Sequence, residues 1–253
     1  MSHQYDLTSD TPKPQCNPLK RCLGKAALAV GVCVLAGTGL ALHKSHADGL
    51  MARIHHGLVI CSPGTGLSMT PGSTGLLHAA STPGMLRLQL ATQENGRVVV
   101  MPGSNQLSEV LASSRREHTL LMLDLNDTNP VDVAKLVRNA RMRDRVVLVA
   151  SDHETTEAAL RADSSMMVAI PIHSTRDAYT AHRMAGRHPY AAYLSPSATP
   201  DLFALVHRDA EAIITENPHS AAFSTSKFFA ERPVDIVVTE QPMQLTKALA
   251  SDS

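Results

Sequence analysis

The sequence predicts an α/β fold: a TIM-type (β/α)8 barrel preceded by a single transmembrane or signal helix. Three observations predict it. From Met51 to the carboxyl terminus, short β-rich runs alternate with helix-like segments in about eight units, the number that closes a parallel barrel. The strand runs are nearly continuous in apolar residues, as in Thr119–Leu125, which suits a sheet covered on both faces. Ahead of them lies an uncharged run, Ala26–Leu42, near the lower limit for a bilayer-spanning helix of roughly 17 to 25 residues. A doubly wound open sheet would give the same alternation. No Gly-x-Gly-x-x-Gly follows any strand, however, which weakens a dinucleotide-binding reading.

The chain has 253 residues, enough for one sizeable domain plus an extension. Its 23 Lys and Arg balance its 23 Asp and Glu, and no long basic patch is visible, so nothing favours nucleic acid as a partner. Trp is absent and aromatics make up only 3%, so the core must be aliphatic. Of Cys16, Cys22, Cys33 and Cys61, only Cys61 lies in the barrel region, which therefore cannot staple itself with a disulfide.

Four segments follow from composition. Residues 1–19 are polar and Pro-containing and read as a disordered tail. Residues 20–43 form a transmembrane or signal helix with a basic flank, residues 44–50 a linker, and residues 51–253 the barrel. Lys20, Arg21 and Lys25 precede the apolar run, which predicts a single-pass membrane protein with its barrel on the extracytoplasmic side. Two alternatives stand beside it. The run is a signal peptide cut after Ala47 at the small-x-small site Ser45-His46-Ala47, giving a secreted or periplasmic barrel, or it is a buried helix of a soluble domain.

The elements follow in order. Strand one is expected over Ala52–Cys61, containing Arg53-Ile54-His55-His56-Gly57, then an irregular loop Ser62–Ser73 and a helix Thr74–Ala80. Met85–Thr92 alternates with period two, Leu86, Leu88 and Leu90 on one face and Arg87 and Gln89 on the other. Asn95-Gly96 signals a hairpin into Arg97–Met101, and Gln106–Ser113 is helical. Thr119–Leu125 is a strand, followed by an amphipathic helix Pro130–Arg141 with Asn129 as N-cap and Pro130 at the first helical position. The remaining strands are expected at Arg145–Ala150, Met166–Ile172, Tyr190–Leu194, Ala210–Thr215 and Val234–Thr239. Their helices are Glu154–Ala162, Thr175–Ala185, Asp201–His207, Ala221–Ala230 and Met243–Ala250.

The last strand reads Val234-Asp235-Ile236-Val237-Val238-Thr239-Glu240-Gln241-Pro242. It resembles the closing motif of the glycerophosphodiester phosphodiesterase family, with Glu240 in the place of an Asp. Other segments fall into register with that family over about Met51 to Leu249. Ile54-His55-His56-Gly57 resembles its opening A-H-R-G, and Pro71-Gly72-Ser73-Thr74 its P-E-N-T. Leu86–Thr92 resembles I-E-x-D-V-x-x-T, Asn95–Pro102 resembles D-G-x-x-V-x-x-H-D, and Leu123-Asp124-Leu125-Asn126 resembles the following E-containing strand.

The resemblance implies a phosphodiesterase barrel of lipid metabolism. Two His would act as general acid and base, and carboxylates at the strand ends would hold Ca²⁺ or Mg²⁺. A phosphodiester is anionic and needs a hard cation with oxygen ligands, and its leaving alkoxide needs a proton. Carried over residue by residue, most of this set is replaced. His55 matches the first catalytic His, as a relic, while His56 stands where an Arg would bind phosphate. Gly72 replaces the Glu of P-E-N-T, and Arg87 and Gln89 replace the two strand-two carboxylates. The second His falls at Met101 and its Asp at Pro102. Asp124 keeps the charge of the next strand's Glu, and Asn126 replaces its Lys. A guanidinium where a divalent cation would sit opposes that cation.

The expectation is therefore a membrane-anchored, catalytically degenerate barrel acting as a binding, accessory or scaffold protein, with no cofactor. Its partners would be the membrane, through Ala26–Leu42, and a phosphate-bearing lipid head group or a membrane-complex protein. His56 and Arg87 are the candidate ligand-binding residues, although Arg87 could instead pair with Asp124 across neighbouring strands. The alternative is an active phosphoric diester hydrolase with a relocated Ca²⁺ or Mg²⁺ site built from Asp124, Glu216 and Glu240. Asp152-His153-Glu154 reads either as a ligand cluster or as the start of a helix, where acids suit the dipole. Cys61 reads as inert core, and His173 and Ser195 as pocket lining without a role.

Overall fold

The structure, a computed structural model, describes residues 49–64, 84–218 and 225–251. The chain divides into Met1–Ser45 and His46–Ser253, and every described residue belongs to the second unit. The tail, the Ala26–Leu42 run, the Ala47 cleavage point, Gly72 and the Thr74–Ala80 helix lie outside the described residues. Among the described residues no helix is long and apolar enough to cross a membrane.

The first element is a helix, α1 (Leu50–His56), and it corrects the expected strand from Ala52 to Cys61. Leu50 and Ile54 stand four residues apart, so a helix puts both on one buried face while Arg53, His55 and His56 stay exposed. Gly57 then turns the chain at φ 141°, a left-handed conformation that favours glycine, and β1 (Val59–Pro63) begins two residues later. Next come β2 (Met85–Thr92), β3 (Val98–Met101), β4 (Asn105–Gln106) and α2 (Leu107–Arg116). The middle of the chain alternates β5 (Leu120–Asp124), α3 (Pro130–Asn139), β6 (Val146–Val149), α4 (His153–Ala162), β7 (Met167–Ile172) and α5 (Thr175–Ala185). It ends with β8 (Tyr190–Leu194), α6 (Pro200–His207), β9 (Ala212–Glu216), α7 (Thr225–Glu231), β10 (Ile236–Val238) and α8 (Pro242–Ser251).

Eight of these strands run parallel and close on themselves. β1 pairs with β10 on one side and with β2 on the other, and β9, β8, β7, β6 and β5 complete the ring. Closure leaves the barrel wall without an open edge. The second half of β2 rises past the ring and pairs antiparallel with β3, joined by the Asn95-Gly96 turn with Gly96 at φ 76°.

Two apolar cores follow from the alternation. Leu86, Leu88 and Leu90 of β2 face outward to the helices, with Leu107, Val133, Phe203 and Phe228. Met85, Leu120, Met122, Val147, Ala191 and Ile236 face inward, and Leu50 and Ile54 of α1 join them. Because α1 precedes β1 and packs against the Arg143–Arg145 turn that leads into β6, it closes the amino end of the barrel. α3 and α5 start where the sequence expects, and α2, α4, α6 and α8 within one residue of it. Asn129 accepts a hydrogen bond from the Val131 backbone N–H with Pro130 behind it, and Asp152, Ser174 and Thr199 cap α4, α5 and α6 in the same way.

Candidate functional site

In a barrel of this kind the strand ends nearest the following loops carry the chemistry. Here that end holds a charged cluster, set by inward-facing positions on four strands. β2 supplies Arg87, β5 Asp124, β8 Tyr193 and β9 Glu216. Arg87 donates from Nε to Asp124 Oδ2 at 3.0 Å, and its Nη2 lies 2.9 Å from the same oxygen. Its Nη1 donates to the Tyr193 hydroxyl at 3.1 Å, and the guanidinium carbon stands 5.7 Å from the Tyr193 ring centre. The Tyr193 hydroxyl donates to Glu216 Oε1 at 3.3 Å, which is itself 3.9 Å from Arg87 Nη1.

The cluster ties up its own charges. Asp124 is 7% exposed at its side chain and Arg87 26%, so each depends on the other for solvation. Burial opposes the Arg87 charge, but Tyr193, the charge and hydrogen bond of Asp124, and Cys61 outweigh it and hold the guanidinium above its ordinary pKa. Burial also pushes the Tyr193 hydroxyl up, against the pull of Arg87. Beneath them, burial raises the Cys61 thiol to about 12, which keeps it protonated and unreactive near neutral pH.

The residues expected at the site divide into two groups. Arg87, Asp124 and Glu216 come together, and the pairing of Arg87 with Asp124 across β2 and β5 is present. The β-sheet register also places Gln89 beside both Asp124 and Met101. His55 and His56 are elsewhere. They end α1, before β1 begins, whereas Arg87 lies beside Pro63 at the far end of that strand. His55 is exposed, with Nδ1 2.6 Å from the Met51 carbonyl of its own helix. The carboxyl end of β1 carries Ser62-Pro63-Gly64 instead, so the expected roles of His55 as catalytic relic and His56 as ligand contact do not fit their positions. The helical spacing of Leu50 and Ile54 is the physical reason, because it draws both His into a helix that caps the opposite end.

Among the described residues, the side chains at this end do not fit a divalent cation. Glu240 is exposed in the connection after β10, and among the described residues no three His, Cys, Asp or Glu side chains gather into a metal-binding group. Of the expected ligand set Asp124, Glu216 and Glu240, the first two flank Arg87, and among the described residues the three do not gather into a metal-binding group. Gln89 and Met101 offer no charge to complete one.

Other candidates resolve into structure. Asp152 accepts from the Thr155 N–H at 2.8 Å and from its hydroxyl at 2.8 Å, bonds that hold its carboxyl below the ordinary range. It is the cap of α4, and His153 lies 3.4 Å from Glu157 one turn on. The His173 backbone N–H donates to Asp177, and the Ser195 hydroxyl pairs with Ser197 at 2.7 Å. Sequence reasoning missed Tyr193. The signal was present, since period-two alternation from the buried Ala191 turns residue 193 inward.

The fold has likenesses among solved structures. A glycerophosphoryl diester phosphodiesterase from Parabacteroides distasonis matches with a TM-score of 0.59 and 15% identity, over 77% of this chain and 86% of that one. A glycerophosphodiester phosphodiesterase from Agrobacterium tumefaciens matches with a TM-score of 0.56 and 13% identity, over 77% and 99%. An Oleispira antarctica phosphodiesterase, in complex with its product sn-glycerol-3-phosphate, matches with a TM-score of 0.57 and 7% identity, over 79% and 99%. No protein-family model matches the chain, and no curated protein sequence does. At these identities the likeness is one of fold, a barrel of glycerophosphodiester phosphodiesterase type.

Proposed function

We propose that this barrel has lost phosphodiester hydrolysis and serves as a membrane-anchored binding, accessory or scaffold protein. One observation carries the reading. Arg87 stands at the carboxyl end of the barrel and is bonded to Asp124, the remaining acid of the matching strand motifs. Two like charges at 4 Å repel by about 4 kcal/mol at an effective dielectric of 20, and a divalent ion doubles that. Among the described residues no His stands within the cluster: His55 lies on α1, and Met101 occupies the place the resemblance gives the second His.

The same geometry bears on the ligand. The Arg87 charge is shared by Asp124 and Glu216, so a lipid phosphate at the mouth would have to displace carboxylates already in place. A protein partner in the membrane, reached through Ala26–Leu42, is the occupant this reading favours over a phosphate-bearing head group.

The test uses the purified full-length chain with glycerophosphodiesters and Ca²⁺, Mg²⁺ or Mn²⁺. No turnover above the uncatalysed rate is expected. Metal-dependent turnover that disappears in Asp124→Asn would overturn the loss of catalysis. The anchor is tested separately by fractionation: the chain should stay with membranes in alkaline carbonate and leave them only in detergent. A mature chain beginning at Asp48 would replace the anchor with a cleaved signal.

A further inference from the structure

The chain carries no net charge, yet its barrel separates charge by end. Exposed acids collect on the carboxyl-end connections: Asp127, Asp152, Glu154, Glu216 and Glu240. Exposed arginines collect at the amino end. Arg53 lies on α1, Arg115 and Arg116 end α2, Arg141 follows α3, Arg187 follows α5, and Arg208 caps α6. The exposed acids sharing that end are Glu117, Asp144, Asp209, Glu211 and Glu231, fewer than its six exposed arginines, which leaves it net positive. The segments outside the described residues between 65 and 83 and between 219 and 224 contain no Lys, Arg, Asp or Glu, so they leave this balance unchanged.

Helix dipoles account for part of the pattern. All the barrel helices point the same way, and each favours acids at its start and bases in its last turn. Arg141 and Arg187 lie beyond the helix ends, where that preference has faded, and α1 adds Arg53 from outside the repeating units. Among the described residues none of the six arginines is held in an ion pair, whereas Arg138 and Arg143 share the buried Asp163. Between α2 and α3 a groove of about 660 Å³ brings Arg115, Arg116 and His118 beside the apolar Ala112, Leu136 and Ala140. Such a groove can take an anionic head group above a short apolar wall.

We propose that the amino-end face of the barrel, with Arg53, Arg115, Arg116, Arg141, Arg187 and Arg208, docks on an anionic phospholipid surface. Charge complementarity is one ground for that occupant, and chain length is the other. Leu42 ends the apolar run eight residues before Leu50, and eight extended residues reach at most about 28 Å. A run anchored as proposed above would leave no more than that length of chain between the bilayer and α1. The choice of a lipid surface rests on the anchored reading of Ala26–Leu42 given above. Docking would leave the acidic mouth facing away from the lipid.

The test places the full-length chain in nanodiscs of phosphatidylcholine, with or without phosphatidylglycerol, and follows amide hydrogen exchange. Protection at residues 113–118, 140–145 and 186–188 is expected in the anionic discs alone, fading as salt is raised. Each basic residue near an anionic surface is worth about a fivefold gain in partitioning, so R115Q/R116Q should lose about twenty-five-fold. Equal exchange in both discs, or protection that Arg115→Gln and Arg116→Gln leave intact, would overturn the proposal. So would stronger protection by RNA than by lipid. Incorporation into discs is scored independently and reports on the anchor. If the chain does not insert, flotation with vesicles of the same two compositions decides the face: binding to anionic vesicles alone supports it, and no binding defeats it.

Discussion

Arg87 is the residue on which the chemistry of this barrel turns. It is both a cation and a five-donor fork, and it spends those donors on Asp124 and Tyr193. Removing it strands a buried acid. Arg87→Leu should cost about 1–3 kcal/mol in urea unfolding, since Asp124 loses its partner while Arg87 is partly solvated. The double variant Arg87→Leu with Asp124→Leu should recover most of that loss, because replacing both members of a buried pair with apolar groups is often neutral. A double variant that adds the two costs would show that the pair is not coupled. Cys61 gives a second prediction. Its folded pKa of about 12 exceeds the ordinary 9.0, so the unfolded chain loses the proton first as pH rises. Stability should be full below pH 9 and fall toward pH 12, by up to about 1.4 kcal/mol per pH unit from this group. Tyr190, raised to about 12 by burial and Asp209, falls in the same direction. Cys61→Ala should flatten the slope of unfolding free energy against pH, and an unchanged slope would place the effect elsewhere.

At the scale of elements, α1 shows how a local period overrides a resemblance. Residues 54–57 read as a strand-end motif until Leu50 and Ile54 are seen to occupy one helix face. That face seals the barrel floor, so Ile54→Ala should cost about 2–4 kcal/mol by leaving a cavity among inward side chains. His55→Ala, on the exposed side of the same helix, should change stability by less than about 0.5 kcal/mol. The pair of variants, compared by denaturant unfolding, separates a structural floor from a site; a large loss for His55→Ala would contradict its placement. The Asn95-Gly96 hairpin, by contrast, was legible because its turn chemistry is local: Gly96 takes the positive φ, and Asn95 accepts from the Arg97 N–H at 2.9 Å.

The whole barrel is closed by β1, which meets β2 on one side and β10 on the other. A closed sheet shares its hydrogen bonds around the ring, so loss of one wall undermines the rest. Unfolding of the barrel, followed by tyrosine fluorescence and by far-ultraviolet circular dichroism, should therefore give coincident transitions. Ile54→Ala at one end and Arg87→Leu at the other should shift that same transition additively, being distant and without shared partners. Separate transitions for the two probes would mean that the ends of the barrel unfold independently.

Strand and helix positions were legible because continuous apolar runs, period-two alternation and caps such as Asn129 are local properties of the chain. Thr175–Ala185 and Tyr190–Leu194 were placed to the residue on those grounds. The placing of Arg87 and Gln89 on one face of β2 was likewise written in the sequence. Which side chains share a site was not, because that depends on closing the sheet and on the register of strands far apart in the chain. Only the tertiary structure brought Tyr193 and Glu216 to Arg87 and carried His55 and His56 to the opposite end. Short-range pattern determines the elements, and closure of the barrel decides their company.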